Sequence, residues 1–228
     1  NAILPLKAGS KIGVAGPFAN ARNTSGGWSL VAGQNTLTLA ESLTERGFSV
    51  VSAMDGELDS MDRQIFDVED HVEEALEVLS DCEIVIAAVG ECSADIGEAT
   101  SKTCLRLSPN QEKLIRSLKE AGKTVITLVF SGRPLEIKPV LPYSDALVQA
   151  WFLGSESAAG LTDVLSGDYN PSGRLSMSFP QTVGQIPVYY NSYRTGRPYY
   201  GQKDHFVSKY LDCPNEPLFS FGYGLSYS

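Results

Sequence analysis

Short, almost unbroken apolar runs alternate along this chain with segments of helical periodicity, and that alternation leaves few folds open. Lys11-Ile12-Gly13-Val14-Ala15 reads as a first strand, and residues 48–52, 82–89, 124–130 and 146–151 as four more. The run over 82–89 has little polar alternation, as expected for a strand covered on both faces. Between the strands, residues 36–46 carry helical apolar spacing, and Val72, Ala75, Leu76 and Leu79 recur at i, i+3, i+4 and i+7. Ser108-Pro109-Asn110-Gln111 forms a helix start: Ser108 can cap, Pro109 suits the first helical position, and Gln111 can complete a capping box. Leu114, Ile115 and Leu118 line that helix, Gly122 ends it, and a further helix between Glu156 and Ser166 stops at Gly167. The βαβα order predicts a mostly parallel sheet with helices on both faces.

The 228 residues suffice for one large domain with a full core. A net charge of −9 argues against nucleic acid and anionic membrane surfaces as partners, since both repel an acidic face. Fifteen of the 27 acidic residues fall between Asp55 and Glu98, opposed there only by Arg63, which reads as a solvated helix face plus loop. No apolar run approaches the roughly 20 residues of a membrane span. Cys82, Cys92, Cys104 and Cys213 form no CxxC pair and lie near no histidine cluster, so a metal site is not expected and free thiols are the default. From about Pro180 onward, tyrosines at 189, 190, 193, 199, 200 and 210 stand among Gly, Pro, Arg and Lys without periodicity. Residues 1–180 therefore read as the α/β domain and 181–228 as an irregular extension of it.

Ligands of open α/β sheets bind beyond the carboxyl ends of the strands. The loops expected there are Gly16-Pro17-Phe18 through Trp28-Ser29, Gly90-Glu91 through Arg106, Ser131-Gly132-Arg133-Pro134, and Phe152 through Glu156. The second of these places Glu91, Asp95 and Glu98 within eight residues. Clustered carboxylates raise one another's pKa, and a glutamic acid kept protonated near neutrality suits a departing glycosidic oxygen. On the residues alone, the same loop reads first as a solvated or cation-binding acidic segment. Trp28 reads as a core residue or as a sugar platform, because aromatic faces bind sugars. The Gly154-Ser155-Glu156-Ser157-Ala158-Ala159-Gly160 segment is no phosphate loop, for no Gly-Lys-Ser/Thr follows. No GxGxxG or GxSxG occurs, which disfavours a dinucleotide cofactor and an acyl-transfer serine. His71 and His205 lie in an acidic helix and in the tail, so a catalytic triad is not expected.

Longer motifs point further. Ala150-Trp151-Phe152-Leu153-Gly154, Gly167-Asp168-Tyr169-Asn170-Pro171-Ser172-Gly173-Arg174-Leu175, Phe179-Pro180, Gly184-Gln185-Ile186-Pro187 and the closing run from Pro217 to Tyr227 together resemble the C-terminal half of glycoside hydrolase family 3. The resemblance runs from Leu4-Pro5-Leu6 through Tyr227. It implies a three-layer α/β/α sandwich, flavodoxin-like in its layering, around a mostly parallel six-stranded sheet. It also implies a partnering N-terminal (β/α)8 barrel in the same polypeptide, contributing an Asp nucleophile, so that this chain holds one half of a retaining β-glycosidase. In that family the loop after the third strand begins Gly-Glu and runs to a second Glu before Ala-Ser. The match gives Glu98 as general acid/base and Glu91 as the fallback, with Lys102 standing where relatives usually carry Arg and Cys104 where they often carry Asp. Gly26-Gly27-Trp28-Ser29 resembles the family's Gly-Cys-Trp-Ser, which with Asp95 in the acid loop gives Trp28 and Asp95 as substrate contacts. Arg133, in Ser131-Gly132-Arg133-Pro134, and Arg197, in a stretch resembling the family's Tyr-Asn-His-Lys-x-Thr-Gly-Arg-Pro, are implied as structural or interdomain residues. No cofactor is implied, and the ligand would be a β-glycoside or oligosaccharide. Two other readings stand beside this one: a non-catalytic carbohydrate-binding or vestigial module, and a flavodoxin-like nucleotide-binding protein, which the missing phosphate-binding glycines disfavour. On the resemblance, the 228-residue chain alone should not hydrolyse aryl β-glycosides. Assay of the purified chain checks this, and turnover above the uncatalysed rate would refute it.

Overall fold

The third and fourth strands are the spine of the fold. A computed structural model describes residues 3–27, 29, 36–53, 71–92 and 95–228. Its elements are β1 (Lys11–Ala15), α1 (Leu39–Glu45), β2 (Ser49–Ala53), α2 (Val72–Val78), β3 (Ile84–Gly90), α3 (Pro109–Glu120), β4 (Thr124–Phe130), β5 (Ala146–Gln149) and α4 (Ser157–Ser166). The five strands pair in the order β2-β1-β3-β4-β5, and every pairing is parallel. β3 and β4 run in register from Ile84 opposite Thr124 to Gly90 opposite Phe130. Six of the seven residues in each are fully enclosed, which is why their sequences show no polar alternation.

Two apolar clusters cover the sheet. On one face, Val72, Ala75 and Leu79 with Leu114, Ile115 and Leu118 bring α2 and α3 onto β3 and β4. On the other, Leu39 and Leu43 of α1 join Leu161 and Leu165 of α4. The result is a three-layer α/β/α sandwich, as expected from the sequence. Where six strands were expected from the resemblance, five are present among the described residues, the same five that the apolar runs mark. The polypeptide after α4 makes only isolated bridges, such as Phe179 with Phe219, and prolines at 171, 180, 187 and 198 remove ladder donors there. Within residues 181–228, Gln185 Nε2 donates to the carbonyls of Pro214, Asn215 and Glu216, while Val183 N–H donating to Glu136 Oε2 and Tyr227 Oη donating to the Val164 carbonyl tie the extension to the domain.

Element ends follow local chemistry. Thr38 caps α1 in a complete capping box with Glu41, and Gly167 closes α4 in the left-handed conformation at φ 84°. Ser108 caps α3 by accepting the Gln111 N–H, but the Gln111 side chain does not close a box. It reaches β3 instead, accepting from Gly90 N–H at 2.8 Å and donating to the Gly90 carbonyl at 3.0 Å. β5 stops at Gln149, two residues short of the expected end, because Trp151 turns to φ 59°.

The strand order places a topological switch between β1 and β3, whose following connections leave toward opposite sides of the sheet. At the tip of β3, Gly90 adopts φ 146°, and a β-carbon there would overlap the Phe130 carbonyl. Gly90→Ala is therefore expected to destabilise the chain by about 3 kcal/mol or more. Gly47→Ala, at φ 92° with open space around it, should cost only about 1 kcal/mol. Urea unfolding of both variants checks the contrast.

Candidate active site

At the carboxyl edge of the sheet, beside the switch point, the strand ends bring together the loops that follow β1, β3, β4 and β5. Glu91 N–H donates to the Phe130 carbonyl at 2.8 Å, which carries the β3–β4 pairing one step past the sheet. This step places the Glu91 side chain beside the loop that follows β4. Glu91 is 2% exposed, and its Oε1 lies 3.3 Å from Arg133 Nε and 3.4 Å from Lys102 Nζ. Asp95 joins the same group: its Oδ1 accepts from Lys102 at 3.1 Å and its Oδ2 from the Cys92 N–H at 2.9 Å. Arg133 also donates to the Asp95 carbonyl at 2.9 Å. Two carboxylates and two cations thus form one electrically balanced knot beneath the loop.

The knot is held by contacts more than by ideal hydrogen bonds. Neither Glu91 oxygen has a well-aligned hydrogen-bond donor among the described residues, although both cations lie within ion-pair range. Burial pushes the Glu91 carboxyl above its ordinary pKa. Arg133 and Lys102 pull in the opposite direction, and Asp95 adds a smaller upward push.

Glu98 stands apart from this group, exposed at the far side of the loop. Its backbone setting is well defined. Gly97 before it has φ 118° and Ala99 after it has φ 60°, and Thr100 Oγ1 donates to the Gly97 carbonyl at 2.6 Å. Ile96 anchors the same turn: β-carbons placed on Gly26 and Gly132 would meet both Ile96 and the Phe152 ring. Those two glycines therefore leave room for Ile96 and Phe152 to pack where the β1, β3, β4 and β5 loops converge. Leu153 N–H donates to the Thr24 carbonyl at 3.0 Å, and Thr24 Oγ1 donates to Ser157 Oγ at 2.7 Å, fastening the first of these loops to the start of α4.

The sequence-predicted site residues thus separate by environment. Glu91, Asp95 and Arg133 come together in the buried knot, and Glu98 is presented on its surface. Arg197 is exposed in the tail, where its carbonyl accepts the Ser208 N–H at 2.8 Å. Trp28 and the acidic run from Asp55 to Asp70 lie outside the described residues. Lys102 and Gln111 were not singled out as site residues. Their signal was hidden, since a lone Lys and a capping Gln show nothing of their partners until the strand ends are aligned. Among the described residues, no three His, Cys, Asp or Glu side chains gather as metal ligands, and Cys82, Cys104 and Cys213 are free thiols.

An exposed carboxyl on a loop with a buried charge knot, at the carboxyl edge of a parallel sheet, suits proton transfer to a ligand bound against this edge. Comparison with known proteins gives the same region a family. The pattern of the Glycosyl hydrolase family 3 C-terminal domain matches residues 1–227. The chain belongs to that family. It is 37% identical over 246 residues to the periplasmic beta-glucosidase of Salmonella typhimurium, covering 99% of this chain and 32% of that protein. It is 31% identical over 159 residues to a beta-xylosidase of Formosa agariphila, covering 68% of this chain and 21% of that protein. The crystal structure of beta-glucosidase from Listeria innocua in complex with isofagomine superposes with a TM-score of 0.86 at 41% identity, over 99% of this chain and 31% of that one. A beta-glucosidase from Erythrobacter marinus superposes at 0.81 with 26% identity, over 98% and 32%. The family 3 domain described here thus spans about a third or less of the length of these relatives.

The raised Glu91 carboxyl has a measurable consequence. The native state holds that proton more tightly than the unfolded chain does, so stability falls as pH rises from the ordinary carboxylate value through the raised one. Glu91→Gln, which cannot ionise, should escape this decline. The expected outcome is a melting temperature that gains on the unaltered chain as pH rises through that window. Thermal melts at a series of pH values measure it, and a difference independent of pH would contradict the burial-driven shift.

Proposed function

We propose that this domain supplies the general acid/base of a retaining β-glycosidase, most simply a β-glucosidase acting on terminal non-reducing β-D-glucosyl residues. Glu98 is the acid/base. It protonates the leaving glycosidic oxygen, then deprotonates the water that releases the sugar. As the leaving oxygen departs, an Asp from a (β/α)8 barrel in the same polypeptide bonds to the anomeric carbon, and the activated water then displaces that Asp from the glycosyl-enzyme. In such a mechanism the two carboxyl groups stand about 5–5.5 Å apart, so the loop must present Glu98 outward to a partner surface. The observation that carries the reading is that exposed presentation at the sheet's carboxyl edge, in a chain of family 3.

Burial favours Glu98 over Glu91 for this role. Glu91 is enclosed in this domain already, and docking of another domain can only cover it further. It is assigned to holding the loop, with Arg133. Asp95 shares that task, and its contact with sugar is the lesser part of its role, because both its oxygens are committed within the loop. Trp28 is assigned to the sugar, on the loop that leaves β1. Residues 181–228 and Arg197 form the strap that meets the barrel. Tyr189, Tyr190, Tyr193, Tyr200, Phe206 and Leu211 are all more than half exposed there, a composition typical of an interface.

The test uses the full-length protein that contains this domain. Glu98→Ala should lower kcat/KM on unactivated β-glucosides by about 10²–10⁴-fold. It should largely spare an aryl glucoside with an activated leaving group, whose departure needs no proton, and azide should raise its turnover. Glu91→Gln should show no such dependence on the leaving group. Equal activity of Glu98→Ala and the unaltered protein on every substrate would move the acid elsewhere. Sugar affinity without turnover in either would favour a binding module.

A further inference from the structure

Lys102 occupies an unusual position. Its side chain is 8% exposed, and its ammonium lies between Glu91, at the start of the loop after β3, and Asp95, four residues on. Lys102 itself belongs to the other end of that loop. It lies eleven positions beyond Glu91, a contour of about 36 Å if extended, yet Nζ and Oε1 stand 3.4 Å apart. The ion pair therefore closes the loop on itself, and Glu98 lies in the closed span.

The loop's incoming base is anchored from outside, and its outgoing side is fixed farther on, where the Leu105 carbonyl accepts the Glu136 N–H at 2.7 Å and Arg106 pairs with Glu112. Gln111 grips both backbone groups of Gly90, the Phe130 carbonyl accepts Glu91 N–H, and Arg133 reaches Glu91 and Asp95. Lys102 alone among these ties the outgoing side to that fixed base. An ammonium on a flexible stem satisfies two carboxylates at 3.1 and 3.4 Å without the planar fork that a guanidinium requires.

We propose that Lys102 is a positioning residue: by drawing the outgoing arm of the loop onto Glu91 and Asp95, it sets where the Glu98 carboxyl stands. This rests on the acid/base role of Glu98 given above. Lys102 touches neither substrate nor reacting atoms. Its loss leaves the acid present but displaced, and a displacement of about 1 Å from the reacting geometry costs on the order of 10²-fold in rate.

Full-length Lys102→Met, Lys102→Arg and Glu98→Ala are compared with the unaltered protein on cellobiose and on 2,4-dinitrophenyl β-glucoside, with thermal melting in parallel. For Lys102→Met, kcat/KM on cellobiose should fall about 10- to 100-fold while that on the dinitrophenyl glucoside changes by no more than about threefold. Lys102→Arg should recover most of the cellobiose activity. Should Lys102→Met fail to fold, Asp95→Asn supplies the readout: it removes the charge that Lys102 reaches, keeps an acceptor for Cys92 N–H, and should show the same selectivity. Equal losses on both substrates would reduce Lys102 to a general structural role and overturn the proposal, as would unchanged activity. If Glu98→Ala loses cellobiose turnover selectively while Lys102→Met does not, only the positioning role fails. If Glu98→Ala shows no selectivity, the acid assignment fails and this proposal with it.

Discussion

The pairing of β3 with β4 sets the geometry on which the candidate site depends. Their ladder runs seven residues in register and is extended past the sheet by Glu91 N–H to the Phe130 carbonyl. Two parallel strands that end together release their following loops side by side. That proximity brings Glu91 and Arg133, 42 positions apart in sequence, to 3.3 Å. Gly90 makes the close approach possible, because any side chain there would strike the neighbouring strand. Gln111 adds a third element to the junction by clasping Gly90 from α3.

The charges above this junction follow from burial. A carboxylate enclosed at the end of a strand is costly unless cations meet it, and two do. Such a knot contributes little net stability compared with apolar packing, but it is directional, and its partners come from both ends of one loop and from the next. The exposed Glu98 thus sits on a loop whose charged contacts are buried. Packing contributes in the same sense, since Ile96 and Phe152 fill the spaces that Gly26 and Gly132 leave.

The strands were legible because enclosed parallel strands must be apolar at consecutive positions; residues 124–130 match β4 to the residue. Helix ends at Ser108 and Gly167 were legible because capping chemistry is local. Gln111 was misread for the same reason: local logic offers it a capping box, while tertiary structure offers it two backbone groups of Gly90. The sixth strand came from resemblance alone, and no apolar run of the sequence supports it. Three carboxylates in one loop were visible in the sequence, but not which would be buried. That depended on register: Glu91 lies one step beyond a buried strand, whereas Glu98 follows a glycine turn. Trp151, with φ 59°, ended β5 early in a way that no propensity for a Trp suggests.

The distribution of exposed apolar groups gives the domain a divided character. Among the described residues, every large exposed hydrophobic side chain except Val78 lies between Tyr169 and Leu225. The last quarter of the chain therefore carries most of the exposed apolar surface, the kind that favours adhesion. A net charge of −9 opposes that adhesion between copies by mutual repulsion. Repulsion of this kind acts over a Debye length of about 10 Å at 0.1 M salt and shortens as salt is added. Added salt is therefore expected to favour association of copies of the separate domain through that surface.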